Sequence, residues 1–156
     1  IWTGRSAKTV DFLKVLRTRR EEDPRGVGRV MGRLGGTSGA AISALEDGRA
    51  ESFLDEVRAF CDALAALGDC VGLPILSEEH RQLRRLVGDS GAVYKPSGAG
   101  GGDFGLVIAT DPEIVDAASR RVTAAGFVVI DLLVDPSGLR HEDDQLGDDT
   151  GARISL

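Results

Sequence analysis

A lysine, a serine and a cluster of glycines stand together in Tyr94-Lys95-Pro96-Ser97-Gly98-Ala99-Gly100-Gly101-Gly102-Asp103-Phe104-Gly105, where five of twelve residues are glycine. Lys95 offers an ammonium and Ser97 a hydroxyl. The glycines let successive backbone N–H groups converge on one point without Cβ obstruction, which makes a nest for an anion. Phosphate is the ligand this chemistry suits, and it gives a reason for a turn that otherwise costs packing and conformational entropy. Two common phosphate loops do not fit. The pattern G-x-x-x-x-G-K-[ST] needs its lysine after the glycines, and Lys95 precedes them. Gly100, Gly102 and Gly105 satisfy G-x-G-x-x-G, but that fingerprint opens a helix, whereas Leu106-Val107-Ile108-Ala109 has the pattern of a strand.

Within the loop, the backbone N–H groups from Ser97 to Gly102 are the candidate phosphate donors. Ser97 either donates to a phosphate or caps the turn. Lys95 points either at the anion or, by strand alternation, at solvent. A carboxylate beside a phosphate would repel it, so Asp103 reads as support for the loop, turned away toward backbone N–H groups or an arginine. Phe104 reads as a core position.

Other reactive residue types are less telling. Thr37-Ser38-Gly39 lacks the G-x-S-x-G spacing of a nucleophile elbow and follows no strand. Cys61 falls on an apolar helical stripe and reads as a small core residue. The cysteines, Cys61 and Cys70, and the histidines, His80 and His141, show no metal-ligand spacing, so no metal site is expected. His80 has no acidic or nucleophilic partner at a telling interval and reads as a surface or boundary residue. Ser6, Lys8 and Thr9 read as a helix cap and its solvated neighbours.

The 156-residue chain has 42% apolar and 28% charged residues, the composition of a globular domain. Its formal net charge of −6, with five acids against two arginines in 140–156, argues against nucleic acid or an anionic membrane as a partner. Free thiols fit the cytoplasm. The chain opens in an apparent strand at Ile1, which suggests a fragment, and its end, 140–156, reads as an acidic disordered tail.

The loop must be positioned by the elements around it. Strands are expected at Ile1–Thr3, Ala92–Lys95, Phe104–Thr110 and Phe127–Val134. A helix carries Val10, Leu13 and Leu16, followed by a charged link over Arg17–Arg25. A longer helical pattern from Val27 to Leu45 holds Gly35-Gly36, where a break or a close approach is expected. Another helix carries Phe53, Val57, Phe60, Leu64 and Leu67 and closes at Gly68. Ser77 caps a helix that ends at Gly88, and Asp111-Pro112 starts one that ends at Gly126. This order suits an α+β sandwich with helices on one face of a mostly antiparallel four-stranded sheet.

The string Lys95-Pro96-Ser97-Gly98-Ala99-Gly100-Gly101-Gly102-Asp103 resembles the third, C-terminal glycine motif of the GHMP kinase family. The Pro-Ser and Gly-Gly-Asp flanks are most similar to the branch whose acceptor is phosphomevalonate, and Thr3-Gly4-Arg5-Ser6-Ala7 adds to the likeness. The resemblance implies a ferredoxin-like domain over residues 1–139, ATP and Mg²⁺ as cofactors, and a part in isoprenoid synthesis. It also implies that Lys95 and Ser97 to Gly102 lie beside the phosphates. The principal ATP loop, the Mg²⁺ ligands and the catalytic side chains would belong to an N-terminal domain upstream of residue 1, leaving this fragment inactive alone. The alternatives are another small-molecule kinase of the family, acting on mevalonate or a sugar, and a non-catalytic binding module.

Overall fold

The computed structural model describes residues 1–4, 6, 9–98 and 100–130. The first helix, α1 (Thr9–Glu22), and the second, α2 (Pro24–Glu46), follow one another with only Asp23 between them. Asp23 caps α2 by accepting from the Gly26 N–H at 2.8 Å, with Pro24 at the first helical position. The expected charged link is therefore mostly helix. Its arginines and glutamates are good helix formers, and the Arg19–Glu22 pair lies one turn apart at 2.9 Å.

Gly35 and Gly36 do not break α2. A Cβ at either would meet nothing within 4 Å, so no close approach explains them. A turn at Asp47–Arg49 reverses the chain into α3 (Ala50–Val71), which packs along α2 as an antiparallel hairpin. The α3 helix runs through Gly68, the expected end, and stops at Gly72, whose φ of 71° supplies a left-handed cap. Gly68 answers to packing instead: a Cβ there would lie 2.7 Å from the Leu73 carbonyl oxygen. Val27, Leu34, Cys61, Leu64, Leu67 and Val71 form the core between these helices, and burying each large aliphatic contributes about 1.5–3 kcal/mol.

Ser77 accepts from the His80 N–H and opens α4 (Glu78–Gly88). The chain then enters β1 (Val93–Pro96), crosses the glycine loop, and returns as β2 (Gly105–Ile108), antiparallel to β1 with Val93 opposite Ile108 and Pro96 opposite Gly105. Asp111 caps α5 (Pro112–Ala124) through the Glu113 N–H at 2.8 Å.

The α+β class stands, but the sheet departs from expectation in two ways. Among the described residues it has two strands, not four. Trp2 makes single antiparallel bridges to Phe104 and Val128, so residues 1–3 and 128 extend the sheet without forming strands. The end of the expected last strand, from residue 131, and the tail lie outside the described residues. Secondly, helices occupy both faces. Successive residues of a strand point to opposite sides. Tyr94 packs with Leu83, Val87, Ala118 and Val122 of α4 and α5, whereas its neighbour Val93 packs with Leu54 and Val57 of α3. The α2–α3 hairpin thus stands over the second face and covers only part of it, leaving Leu106 44% exposed.

Candidate functional site

The partly open face is where the polar residues of the loop gather. Strand alternation puts Lys95 and Ser97 on the same side as Leu106 and Ile108. A groove of about 350 Å³ between this face and the α2–α3 hairpin is lined by Lys95, Leu106 and Ile108 with Thr37, Ser38 and Phe60. Ser97 lines an adjoining cavity of about 290 Å³ with Phe104 and Leu106. Lys95 is half-buried rather than turned out to solvent. Its Nζ donates to the Pro96 carbonyl at 2.9 Å and lies 5.4 Å from the centre of the Phe60 ring, a cation–π contact. The Thr37 hydroxyl is spent on carbonyls one turn back, Arg33 and Leu34.

The glycine loop takes a backbone path open to few other residues. Gly98, Gly100 and Gly101 have φ of 71°, 77° and 80°, and Asp103 follows at 59°. Positive φ of this kind is cheap for glycine and tolerable for aspartate. At Gly100 space adds a second requirement, since a Cβ would sit 2.4 Å from the Ile75 carbonyl oxygen. Ala99 lies outside the described residues.

Several bonds pin the loop. Ser97 N–H donates to Phe104 O at 2.8 Å and closes its neck; Gly101 N–H donates to Ile75 O at 2.7 Å. Thr3 N–H donates to Asp103 O at 2.8 Å, and the Ser6 hydroxyl to Asp103 Oδ1 at 2.9 Å. The Ser97 and Gly101 N–H groups are therefore engaged in holding the loop. Those of Gly98, Gly100 and Gly102 meet no acceptor among the described residues. Asp103, expected to turn toward backbone N–H groups or an arginine, accepts from the Ser6 hydroxyl, which gives Ser6 a tertiary contact that its sequence context hid. Phe104, expected in the core, is 41% exposed and packs against Trp2 with ring centres 5.0 Å apart and planes tilted by 53°.

The residue that sequence reasoning missed is His80. It is fully buried, with Nδ1 2.7 Å from the Tyr94 hydroxyl and Nε2 3.1 Å from the Gly102 carbonyl oxygen. A carbonyl only accepts, so Nε2 carries the proton and the Tyr94 hydroxyl donates to Nδ1. Desolvation by burial lowers the imidazole's proton affinity; the Gly102 carbonyl and the Glu79 and Asp103 carboxylates act in the opposite sense. Burial likewise raises the Tyr94 hydroxyl well above its ordinary range. Both groups are neutral, and Tyr94 also lies over Gly105, where a Cβ would collide with the phenol oxygen. The available signal was the pairing of the only tyrosine, on the strand entering the loop, with a histidine one turn into a capped helix.

Among the described residues, Lys95 and Ser97 bring one ammonium and one hydroxyl to the open face, while the N–H groups of Gly98, Gly100 and Gly102, of which only Gly98 is exposed, meet no acceptor; these are groups of the kind that hold phosphate oxygens. Among the described residues, no group of three His, Cys, Asp or Glu side chains is placed to hold a metal ion, and no helix is long and apolar enough to cross a membrane.

Comparison with known proteins places the chain in a family. Residues 18–128 match the family described as GHMP kinases C terminal. The phosphomevalonate kinase of Streptomyces sp. (strain CL190) is 35% identical over 122 residues, which are 78% of this chain and 31% of that enzyme. Among solved structures, the Lin0012 protein from Listeria innocua superposes with a TM-score of 0.76 at 22% identity, over 80% of this chain and 35% of that one, a likeness of fold alone. The chain thus spans about a third of the length of the proteins it matches.

Proposed function

This chain belongs to the GHMP kinase family, through that family's C-terminal domain, and on that premise we propose that it is the C-terminal part of a phosphomevalonate kinase. The proposed reaction takes the γ-phosphoryl group of ATP to the phosphate of (R)-5-phosphomevalonate, giving diphosphomevalonate and ADP in isoprenoid synthesis in the cytoplasm. A phosphate oxygen of the acceptor attacks the γ-phosphorus as the bond to ADP breaks. Such a reaction asks the protein mainly for positioning and for stabilisation of spread negative charge.

The observation that carries this reading is the pinned glycine loop, whose Gly98, Gly100 and Gly102 N–H groups meet no acceptor among the described residues, directly following Lys95 and Ser97 of the open face. In the proposed roles, Gly98, Gly100 and Gly102 donate to phosphate oxygens through the backbone. Gly101 shapes that path, Ser97 adds a hydroxyl donor, and Lys95 adds positive charge from the groove. Asp103 supports the loop. Mg²⁺, when bound with ATP, neutralises phosphate charge. Its ligands and the catalytic side chains are assigned in this reading to an N-terminal domain packed against the open face, so the domain alone turns over no ATP.

The test is steady-state kinetics on the full-length protein. Exchanging Lys95→Met and Ser97→Ala is expected to raise KM for phosphomevalonate or ATP by about tenfold or more each, the cost of one charged or hydroxyl hydrogen bond. Unchanged constants in both variants would remove these residues from the phosphate site.

A further inference from the structure

We propose that His80 is the positioning residue of the glycine loop: its buried imidazole, held by Tyr94, fixes the Gly102 carbonyl and with it the arm by which the loop returns to the sheet, so that the loop between Ser97 and Gly102 is held in one conformation. The inference rests on the reading of the loop as a phosphate site, and deepens it.

The geometry is specific. The loop is anchored on its inner side at two adjacent residues, Gly101 by the Ile75 carbonyl and Gly102 by His80 Nε2. A peptide unit is planar and trans, so a fixed C=O also fixes the N–H on the other side of the same bond. Holding Gly102 O against the imidazole therefore sets the peptide between Gly102 and Asp103. Holding Gly101 N against Ile75 O sets the peptide between Gly100 and Gly101. Glycines have no side chain to restrain their own torsions, so a loop built of them needs such external restraint to stay preorganised.

His80 is itself over-determined. Its backbone N–H is capped by Ser77, its Nδ1 accepts from Tyr94, and the ring is wholly out of water. Tyr94 lies on the strand that leads into the loop and Gly102 near the loop's far end. The Tyr94–His80–Gly102 chain thus ties the two arms together beneath the turn. A hydrophobic side chain of similar volume would fill the space but leave Gly102 O and the Tyr94 hydroxyl buried without partners.

A merely structural core histidine and a positioning residue predict different things. The test compares His80→Ala, His80→Gln and Val87→Ala in the full-length enzyme. Val87 is fully buried in the Tyr94 cluster, so its truncation controls for lost stability. Gln places an amide N–H near the position of Nε2 and keeps the bond to Gly102 O. We expect His80→Ala to raise KM for ATP and phosphomevalonate by about tenfold beyond the Val87→Ala enzyme, with a smaller change in kcat, and Gln to recover most of the loss. Hydrogen exchange at the Gly101 amide should accelerate at least about tenfold in His80→Ala relative to Val87→Ala, and return toward wild type in His80→Gln.

Equal KM values and equal exchange in the Ala variants, or a Gln variant no better than Ala, would overturn the proposal. If the wild-type enzyme does not turn over phosphomevalonate, the functional reading fails, and the exchange comparison alone decides whether His80 holds the loop.

Discussion

At the scale of single residues, the loop is an exchange of side chains for backbone. Gly98 and Gly100 have nearly the same φ, but a Cβ would stand in open space at the first and 2.4 Å from a carbonyl oxygen at the second. Gly98→Ala is therefore expected to cost about 1–2 kcal/mol from the left-handed backbone alone. Gly100→Ala should cost more than that by at least about 1 kcal/mol, because Ile75 must move and the Gly101 bond with it. Urea unfolding of both variants measures the difference.

His80 also gives the domain a pH response. Its proton affinity is lowered in the folded state, while the unfolded imidazole titrates near about pH 6.5. Below that pH the unfolded chain binds the proton first, so the stability tied to neutral His80 is complete above about pH 6.5 and lost as pH falls toward the folded value. Melting temperature should fall more steeply for wild type than for His80→Gln between about pH 7 and pH 5. Parallel curves would contradict the assignment of neutral His80.

Residues of the loop could be read in advance because glycine spacing states a backbone requirement directly. His80 could not, since its meaning lies in Tyr94 and Gly102, which are 14 and 22 residues away. Ser6 was hidden for the same reason, its partner Asp103 being 97 residues distant.

At the scale of elements, local chemistry located most helices and misjudged their ends. The caps at Ser77 and Asp111 were legible because a side-chain oxygen followed by a periodic apolar run has a single local use. Gly68 misled because a glycine late in a helix serves either as a stop or as a point of contact, and here it is the contact with Leu73. The glycines of α2 misled differently. Tertiary packing of Val27, Leu34 and Ala44 keeps that helix intact despite poor propensity.

Gly35 and Gly36 are exposed and face open space. Replacing either by alanine should stabilise the domain by about 0.5–1 kcal/mol, read as a higher urea midpoint at unchanged m-value. A loss of stability would mean that something packs against this stretch of α2. The two-faced sheet was invisible in sequence, because β1 is apolar on both sides with Val93 and Tyr94 adjacent. Such a pattern announces burial without saying which helix supplies it.

At the scale of the whole molecule, the fold separates support from service. One face of the sheet, with Tyr94 and Val107, is closed by α4 and α5 and carries the His80 anchor. The other carries Lys95, Ser97, Phe104 and Leu106 and remains partly open, with Phe104 and Leu106 both more than 40% exposed. A surface of that kind marks a binding site or an interface. The chain corresponds to about a third of the length of its relatives, and in the proposed function the remaining domain closes over this face to complete the site. The glycine motif was legible because a run of positive-φ positions and a close approach to Ile75 constrain a short string to glycine. The completion of the site was not, since the proposed function assigns it to contacts beyond the chain.

The most direct test of the account is a coupled assay of ATP turnover by the full-length protein with phosphomevalonate, mevalonate and galactose as rival acceptors, run beside this domain alone. The account predicts turnover with phosphomevalonate only, and none from the domain. Turnover with mevalonate or galactose in its place would contradict the proposed acceptor, and an active isolated domain would contradict the division of labour on which the mechanism rests.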